Sequence, residues 1–407
     1  MSDILSTDIN EQLSSNQIAI IPPSVVAANS GNQSTLTEKP TKTVNVLHLI
    51  NGEHYSGAER VQDLLALRLP EFGYQVGFCC LKPDRFNEAR AAKEAPLYDL
   101  GMRHRFDLLR TSEIARIATE GNYELLHAHT PRSVLLGMMT SRKTGIPLVY
   151  HVHSPTSRDS TRRVRNWVNQ QVERMAMKHA VQLITVSHSL ADHVADQGIS
   201  REKISVVHNG VPTTIHIDQR TPPTKTWILG TVALFRPRKG IEVLLHAMAE
   251  LRAVGNDVRL RAVGPFETPE YEASIKQLVK ELQLEDAIEW VGFTQEVNQE
   301  LGKMDLFVLP SLFGEGLPMV ILESMAVGTP VVATKVEGVT EAIKHGVNGL
   351  IAKPEDPKSL AEQIQALILG LYDWNELRSN ALVEHNTSFS DISMARGTSL
   401  VYDEILR

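Results

Sequence analysis

The sequence predicts an α/β protein built from two consecutive, doubly wound parallel-sheet domains. From Val44 onward, short runs rich in β-branched and apolar residues alternate with helix-like stretches, the pattern of parallel strands joined by crossover helices. The alternation stops at residues 209–212 (Asn-Gly-Val-Pro) and restarts at residue 227, after the linker-like stretch Thr-Pro-Pro-Thr at 221–224. A chain of 407 residues is also too long for one ordinary core.

Five segments are predicted along the chain. Residues 1–43 are rich in Ser, Thr, Asn and Gln, with no basic residue before Lys39, which predicts a disordered extension and not a secretory signal. The first domain is predicted at residues 44–215, with strands at 44–50, 75–81, 124–129, 148–153, 183–187 and 204–208. A linker at 216–226 leads to the second domain at 227–385, with strands at 227–235, 259–263, 287–293, 306–311, 330–334 and 349–352. Residues 386–407 are predicted to form a C-terminal helix that packs back on the first domain.

The composition excludes several classes of protein. At 42% hydrophobic and 22% charged residues, the chain is typical of a globular protein. Its net charge of -7 argues against a nucleic-acid partner, which requires a basic surface. The two cysteines, Cys79 and Cys80, are adjacent in an apolar run, which predicts buried strand residues and neither a disulfide nor a metal site. Without an apolar run long enough to span a membrane, the expected compartment is the cytoplasm.

Two carboxylates flank a loop-to-helix junction between residues 314 and 326. Pro318 suits the first turn of a helix, and Gly328 ends that helix, so Glu315 precedes the helix and Glu323 lies within it. Eight residues of helical rise place the two Cα atoms on the order of 12 Å apart. This distance suits two contacts with one extended ligand, although two ordinary solvated carboxylates remain the alternative.

The start of the same helix offers a site for an anion. The free N–H groups of Gly316 and Leu317 would point at a ligand from the positive end of the helix. The loop follows a predicted strand at 306–311, and ligands of parallel sheets bind at the carboxyl ends of strands. No G-x-G-x-x-G motif is present, so a dinucleotide is not the favoured ligand.

A basic segment, Arg236-Pro237-Arg238-Lys239-Gly240, lies between a predicted strand and a predicted helix at 241–254. Three cations at a helix start oppose the helix dipole, which is unfavourable unless an anion binds there. A phosphate would turn that conflict into charge-assisted hydrogen bonds. The alternative is a solvated basic turn.

The first domain carries two further candidates. Gly57 and the residue after it begin a predicted helix and would let a ligand approach the backbone closely. His127 and His129 end one predicted strand, and His151 and His153 end the next. We favour His153 as a ligand contact, with His129 second; a zinc site and buried hydrogen-bonded histidines are the alternatives, and no helical His-x-x-x-His or cysteine accompanies them.

Between Arg158 and Lys178, six basic residues are interleaved with apolar ones such as Trp167 and Met175. This pattern predicts either an exposed helix with one packed face or a surface for an anionic, lipid-linked acceptor at a membrane.

Together these segments resemble the retaining glycosyltransferases of the GT-B fold, specifically the large family 4, also called group 1. The resemblance covers roughly residues 44–405 and rests on six segments: Ser56 to Arg60, Val207 to Val211, Arg236 to Gly240, Asp305 to Ser311, Glu315 to Glu323 and Gly346 to Leu350. It implies two Rossmann-like, doubly wound parallel-sheet domains facing a central cleft, the first binding the acceptor and the second a nucleotide sugar. One departure is Glu337 before Gly338, where the family often has two glycines; a side chain here could narrow the acceptor cleft.

The resemblance implies that the second domain holds most of the donor. Glu323 would bind the ribose hydroxyls, while Glu315 and the backbone of Gly316 and Leu317 would hold the transferred sugar. The turn formed by Gly292 and Phe293 would bind the base.

The resemblance also implies a group of residues around the departing diphosphate. Arg236 and Lys239 would neutralise its charge, Gly57 would meet it from the first domain, and His153 would lie beside the donor sugar. The implied catalytic group is therefore His153, Arg236, Lys239 and Glu315. Preorganised cations at the developing charge lower the barrier, so no metal and no cofactor is expected, and the chain contains no D-x-D triplet.

The expected activity is transfer of a hexose, with retention, from a UDP- or GDP-sugar to a glycan or lipid-linked acceptor in polysaccharide biosynthesis. The enzyme is expected in the cytoplasm, with peripheral contact to the inner face of the membrane. A nucleotide-sugar epimerase or hydrolase and a noncatalytic nucleotide-sugar-binding protein are the alternatives.

Overall fold

The structure is a computed structural model that describes residues 43–55, 57–102, 107, 109–154, 171, 173–214 and 219–406. Residues 42–407 form one compact unit. Almost all of the extension predicted for residues 1–43, and most of the basic segment 158–178, lie outside the described residues.

The first sheet contains seven parallel strands in the order β3-β2-β1-β4-β5-β6-β7. These strands are β1 (Val44–Ile50), β2 (Tyr74–Cys80), β3 (Leu97–Asp99), β4 (Tyr123–Ala128), β5 (Leu148–Val152), β6 (Gln182–Thr185) and β7 (Ile204–Val206). Six of them start and end within two residues of the predicted bounds. The edge strand β3 was not predicted, because three residues, two half-buried and one exposed, carry too little periodicity.

The second sheet contains six parallel strands in the order β10-β9-β8-β11-β12-β13. They are β8 (Trp227–Val232), β9 (Val258–Val263), β10 (Ile288–Gly292), β11 (Leu306–Leu309), β12 (Val331–Thr334) and β13 (Leu350–Ala352). All six were predicted, and both sheets confirm the expected fold of two Rossmann-like α/β halves. The exact domain boundaries stay predictions.

Helices connect the strands and cover the sheets. The labelled helices are α1 (Gly57–Arg68), α2 (Arg85–Ala89), α3 (Arg110–Glu120), α4 (Pro131–Thr144), α5 (His188–Asp196), α6 (Ile241–Ala253), α7 (Pro269–Glu281), α8 (Val297–Gly302), α9 (Met319–Val327), α10 (Val339–Ala342), α11 (Pro357–Ile368), α12 (Trp374–Ser388) and α13 (Asp391–Leu406). Within the described part of the chain, no helix is both long and apolar enough to cross a bilayer.

Both sheets reverse their strand order at one point. The first sheet grows outward in opposite directions from β1 and β4, and the second from β8 and β11. Adjacent crossover connections then leave in opposite directions and open a crevice at the carboxyl ends of these two strands. The segments after β1, β4, β8 and β11 are therefore the places where a ligand site is expected.

The last helix, α13, packs against the first half of the chain. Its Met394 and Tyr402 are buried in the same apolar core as the strands of the first sheet. The guanidinium of Arg68 donates to Asp391 at 2.7 Å, and the hydroxyl of Tyr74 donates to Asp403 at 2.8 Å. The chain thus returns from the second sheet to the first before it ends.

Candidate active site

The loop between β11 and α9 places a buried carboxylate among cations. Glu315 is only 6% exposed. Its Oε1 accepts hydrogen bonds from Lys239 Nζ at 2.5 Å and from the hydroxyl of Ser311 at 2.6 Å, and Arg238 Nη1 lies 3.9 Å from the same oxygen. We call residues 311–316 the acidic loop.

These contacts decide the ionisation of Glu315. Burial alone raises the pKa of the carboxyl, but the charge and hydrogen bond of Lys239, the Ser311 hydroxyl and the charge of Arg238 outweigh it. The pKa of Glu315 is therefore held below its ordinary value, and the side chain is a carboxylate at neutral pH.

The basic segment after β8 differs in one respect from its prediction. Its cations lie in a short 3-10 turn, Pro237–Lys239, which is separated from α6 by Gly240 at a φ of 66°. Gly240 is needed there because a Cβ would lie 2.1 Å from the carbonyl oxygen of Pro310. Glu315 of the same chain supplies one negative charge to Lys239, and binding of a phosphate by this segment stays a prediction.

A second carboxylate, Glu337, holds the backbone of the acidic loop. Its Oε2 accepts hydrogen bonds from the N–H groups of Gly314 at 2.9 Å and Glu315 at 3.2 Å. The N–H of Gly338 in turn donates to the carbonyl oxygen of Glu315 at 3.2 Å. This arrangement fixes the loop from two sides. The sequence marked Glu337 only as a departure that could narrow the acceptor cleft, and its contact with the loop was not predicted.

Five histidines lie together at the carboxyl ends of β1, β4 and β5; we call them the histidine cluster. His129 is hydrogen-bonded on one side to His48 (Nε2 to Nδ1, 3.1 Å) and on the other to His153 (Nδ1 to Nε2, 3.2 Å). His127 and His151 stack with planes 2° apart and ring centroids 5.4 Å apart. Alternation along the strands predicted that His127 and His129 share one side, as do His151 and His153; the participation of His48 was missed because it lies far away in sequence.

Tyr402 closes the cluster from α13. Its hydroxyl lies 2.5 Å from His127 Nδ1 and 3.2 Å from His48 Nε2. Hydrogen bonds therefore connect the C-terminal helix, through His48 and His129, to His153 at the end of β5. No local sequence pattern links residue 402 to these strands.

Burial keeps the histidine cluster uncharged. Desolvation lowers the pKa of His48 to about 3 and that of His153 to about 4. The same cause lowers the pKa values of His127, His129 and His151 well below the ordinary range, and the neighbouring imidazoles add to the effect. At neutral pH the five rings are neutral and can donate or accept at either nitrogen, depending on tautomer.

The acidic loop meets the histidine cluster directly. A Cβ on Gly316 would lie 2.3 Å from the carbonyl oxygen of His153, so only glycine fits at this contact. Next to it, a Cβ on Gly57 would lie 3.6 Å from Met319 at the start of α9. Arg60 of α1 forms an ion pair with Glu323 of α9, whose side chain is almost fully buried. The structure thus brings His153, Gly57, Gly316 and Glu323 to one junction.

Two predicted parts of the donor site, the turn at 292–293 and Arg236, have surroundings different from those of the acidic loop. Gly292 ends the edge strand β10 with a φ of 76° and open space around it, and the neighbouring Phe293 is 74% exposed. Arg236 pairs with Glu267 at 3.4 Å, and within the described part of the chain it forms no hydrogen bond or ion pair with Glu315. These residues lie at the carboxyl edge of the second sheet.

Further contacts between the two halves were not predicted individually. Asn209 donates to the carbonyl oxygen of Leu317 at 3.0 Å. Glu341 accepts from the N–H groups of His188 and Ser189 at the start of α5 and lies 3.1 Å from His208 Nε2. These contacts give a structural reason for the segment 207–211, which the sequence singled out only through its resemblance.

Comparison with known proteins places the chain among glycosyltransferases. Residues 55–215 match the family described as Glycosyltransferase Family 4, and residues 213–381 match Glycosyl transferases group 1. A putative colanic acid biosynthesis glycosyltransferase, WcaL, of Escherichia coli is 30% identical over 56% of this chain and 58% of that protein. The MMP alpha-(1->4)-mannosyltransferase of Mycolicibacterium hassiacum is 28% identical over 70% of this chain and 72% of that protein. The chain spans about half the length of the curated relatives it matches from Escherichia, Salmonella and Erwinia, at 58%, 51% and 48%.

Solved structures show the same fold. HepE of Anabaena, crystallised with UDP, superposes with a TM-score of 0.78 at 22% identity and covers 89% of this chain and all of that one. The sucrose-phosphate synthase of Thermosynechococcus elongatus gives 0.76 at 19% identity, over 89% of this chain and 99% of that one. The two family matches together run from residue 55 to residue 381, and by them the chain belongs to the group 1 family of glycosyltransferases, with the GT-B fold that its two parallel sheets display.

Proposed function

We propose that the chain is a retaining, metal-independent glycosyltransferase that moves a hexose from a nucleotide diphosphate sugar to a glycan or lipid-linked acceptor. The observation that carries this proposal is the ion pair of half-buried Lys239 with buried Glu315, in the loop whose Gly316 adjoins the carbonyl of His153. It combines a cation and a carboxylate at the crevice where both sheets end. The printed names of the relatives support the reaction class, and the UDP and UDP-glucose complexes of HepE support a uridine nucleotide, with a GDP-sugar as the other candidate donor.

Lys239 can serve Glu315 and a diphosphate at the same time. An ammonium group has three donors, and one of them is directed at Glu315 Oε1. The other two are free to meet phosphate oxygens as negative charge develops on the leaving group. Arg236, four residues after the end of β8, would approach the same diphosphate after leaving Glu267, which holds it only at 3.4 Å.

Glu315 would hold the transferred sugar through its second oxygen. The contacts of Lys239, Ser311 and Arg238 all converge on Oε1, so Oε2 can accept from a sugar hydroxyl. The backbone carbonyl of His153 adjoins Gly316, and its neutral imidazole would suit contact with another hydroxyl of the same sugar. These contacts orient the sugar without forming a covalent bond to the enzyme, as front-face attack with retention requires.

The remaining donor contacts are proposed from the family resemblance. Glu323 would bind the ribose hydroxyls, Gly57 and the N–H groups of Gly316 and Leu317 would face the diphosphate, and the turn at 292–293 would bind the base. We place the reaction at the cytoplasmic side of a membrane, where a lipid-linked acceptor in polysaccharide biosynthesis would be found.

A thermal-shift screen of nucleotide sugars tests this proposal. A ligand that binds only the native state stabilises it by about 2.7 kcal/mol at a hundred times its Kd. One UDP- or GDP-sugar should raise the Tm of the protein, and Glu323→Gln should reduce that rise. No shift with any nucleotide sugar would contradict the proposal. Consumption of the donor without an acceptor would instead identify a hydrolase or epimerase.

A further inference from the structure

Buried nitrogens without hydrogen-bond partners occur in the histidine cluster. His151 is fully buried, and neither of its ring nitrogens has a partner in the described part of the chain. The Nε2 of His127 and the Nδ1 of His153 lack partners there as well. Leaving a buried polar group unsatisfied costs about 1–3 kcal/mol, so the cluster has unused capacity to bind a ligand.

Three of these rings present nitrogens close enough to share one ion. One ring nitrogen from each of His129, His151 and His153 lies within 4.8 Å of the others. His129 Nδ1 and His153 Nε2 are 3.2 Å apart. Two nitrogens at about 2.0–2.1 Å from a tetrahedral zinc ion are roughly 3.4 Å apart. The rings must turn until their lone pairs converge, but the spacing between these two nitrogens already suits an ion.

The other nitrogens of the cluster form a matching outer layer. If His129 Nδ1 binds the ion, its Nε2–H donates to His48 Nδ1 at 3.1 Å. His48 Nε2–H then donates to the Tyr402 oxygen at 3.2 Å, and the Tyr402 hydroxyl donates to His127 Nδ1 at 2.5 Å. Each step pairs one donor with one acceptor, and such support is typical of metal-bound histidines because it fixes their tautomer.

We propose that His129, His151 and His153 bind a divalent transition-metal ion of the zinc class. Imidazole nitrogens suit zinc, copper and nickel, whereas magnesium, calcium and manganese prefer oxygen ligands. Three protein ligands leave a fourth position for water or another group. This site shares His153 with the proposed sugar contact, but the proposed glycosyl transfer itself needs no metal.

Cobalt and zinc titrations of the full-length, untagged protein test the site. After treatment with a chelator, the protein should bind Co²⁺ with the visible absorption of a tetrahedral site, and Zn²⁺ should displace it and raise the Tm. His151→Ala should weaken binding by at least about tenfold. If that variant fails to fold, as judged by circular dichroism, His151→Phe fills the space with a ring that cannot bind metal.

A second group of side chains provides the matched control. His188, His208 and Glu341 could also hold an ion, and they lie apart from the cluster between α5 and α10. His208→Ala should leave cobalt binding unchanged. The proposal is overturned if the wild-type protein binds no cobalt, if both His151 variants bind it as the wild type does, or if binding is lost only in His208→Ala.

Discussion

The acidic loop and the histidine cluster face each other, and burial acts on them in the same direction with opposite results. Both groups of titratable side chains are removed from water, which disfavours charge. In the cluster nothing opposes this effect, so the histidines are neutral. In the loop, Lys239, Ser311 and Arg238 reverse it and keep Glu315 ionised. The charge of these side chains is therefore set by the groups next to them and not by how deeply they are buried.

The largest expected difference between the histidine cluster and the acidic loop is in how they change the stability of the protein in mild acid. The cluster histidines have pKa values far below those of the unfolded chain, so unfolding takes up protons as pH falls below about 6.5. Stability is fully present above that pH and is lost as pH falls, down to about pH 4 for His153 and about pH 3 for His48, at up to about 1.4 kcal/mol per pH unit for each of them. Urea unfolding of the metal-free protein across this range measures the slope.

The contribution of Glu315 to the free energy of unfolding should depend on pH differently in the same experiment. Its folded pKa is lowered, so its stabilising effect is unchanged between about pH 6.5 and pH 4.5 and is lost only as pH falls further. Above that pH, His151→Leu should reduce the slope of the free energy of unfolding against pH by the contribution of one histidine. A midpoint of urea unfolding that does not change between these pH values would contradict the neutral cluster.

Lys239→Ala should have the next largest effect because it removes the cation closest to Glu315. Glu315 would be left buried with Arg238 as its remaining cation, and an uncompensated buried charge costs up to about 3–5 kcal/mol. The loss of charge stabilisation should also lower kcat for sugar transfer by roughly 100- to 1000-fold. Urea unfolding and steady-state kinetics give the two values.

Arg238→Ala is the matched control for Lys239→Ala. Its guanidinium lies 3.9 Å from Glu315 Oε1, against 2.5 Å for Lys239, so both losses should be smaller. Equal effects of the two variants would show that net positive charge, and not the specific pair, governs the loop.

Glu337→Ala should have an intermediate effect by releasing the backbone of the acidic loop. It removes the acceptor of two N–H groups, and a hydrogen bond to a charged group is worth about 1.5–3 kcal/mol. We expect kcat to fall by roughly tenfold with a smaller change in KM. Glu337→Gln keeps an acceptor oxygen and should recover most of the activity; equal losses in both variants would contradict this role.

The sequence predicted the fold better than it predicted the contacts within the acidic loop and the histidine cluster. Twelve strands were located because each carries a periodic apolar run and a turn signal of its own. Lys239 and Glu315 were both singled out, but their pairing joins residues 76 positions apart and depends on how β8 and β11 lie side by side. His48 and Tyr402 entered the cluster for the same reason, through strand order and the return of α13. Local patterns cannot encode such neighbours.

Arg60→Gln should have the smallest effect, and whether it tightens or weakens nucleotide binding is informative. The Arg60 side chain is 31% exposed and pairs with the buried Glu323, so solvent screening of the arginine should keep the loss below that of Lys239→Ala. If a nucleotide ribose must displace Arg60 to reach Glu323, removing the arginine should tighten UDP or GDP binding by up to about fivefold. Calorimetry measures the Kd. Arg68→Gln, on the same helix but paired with Asp391, should leave the Kd unchanged. Weaker binding in Arg60→Gln alone would mean that Arg60 contacts the nucleotide itself.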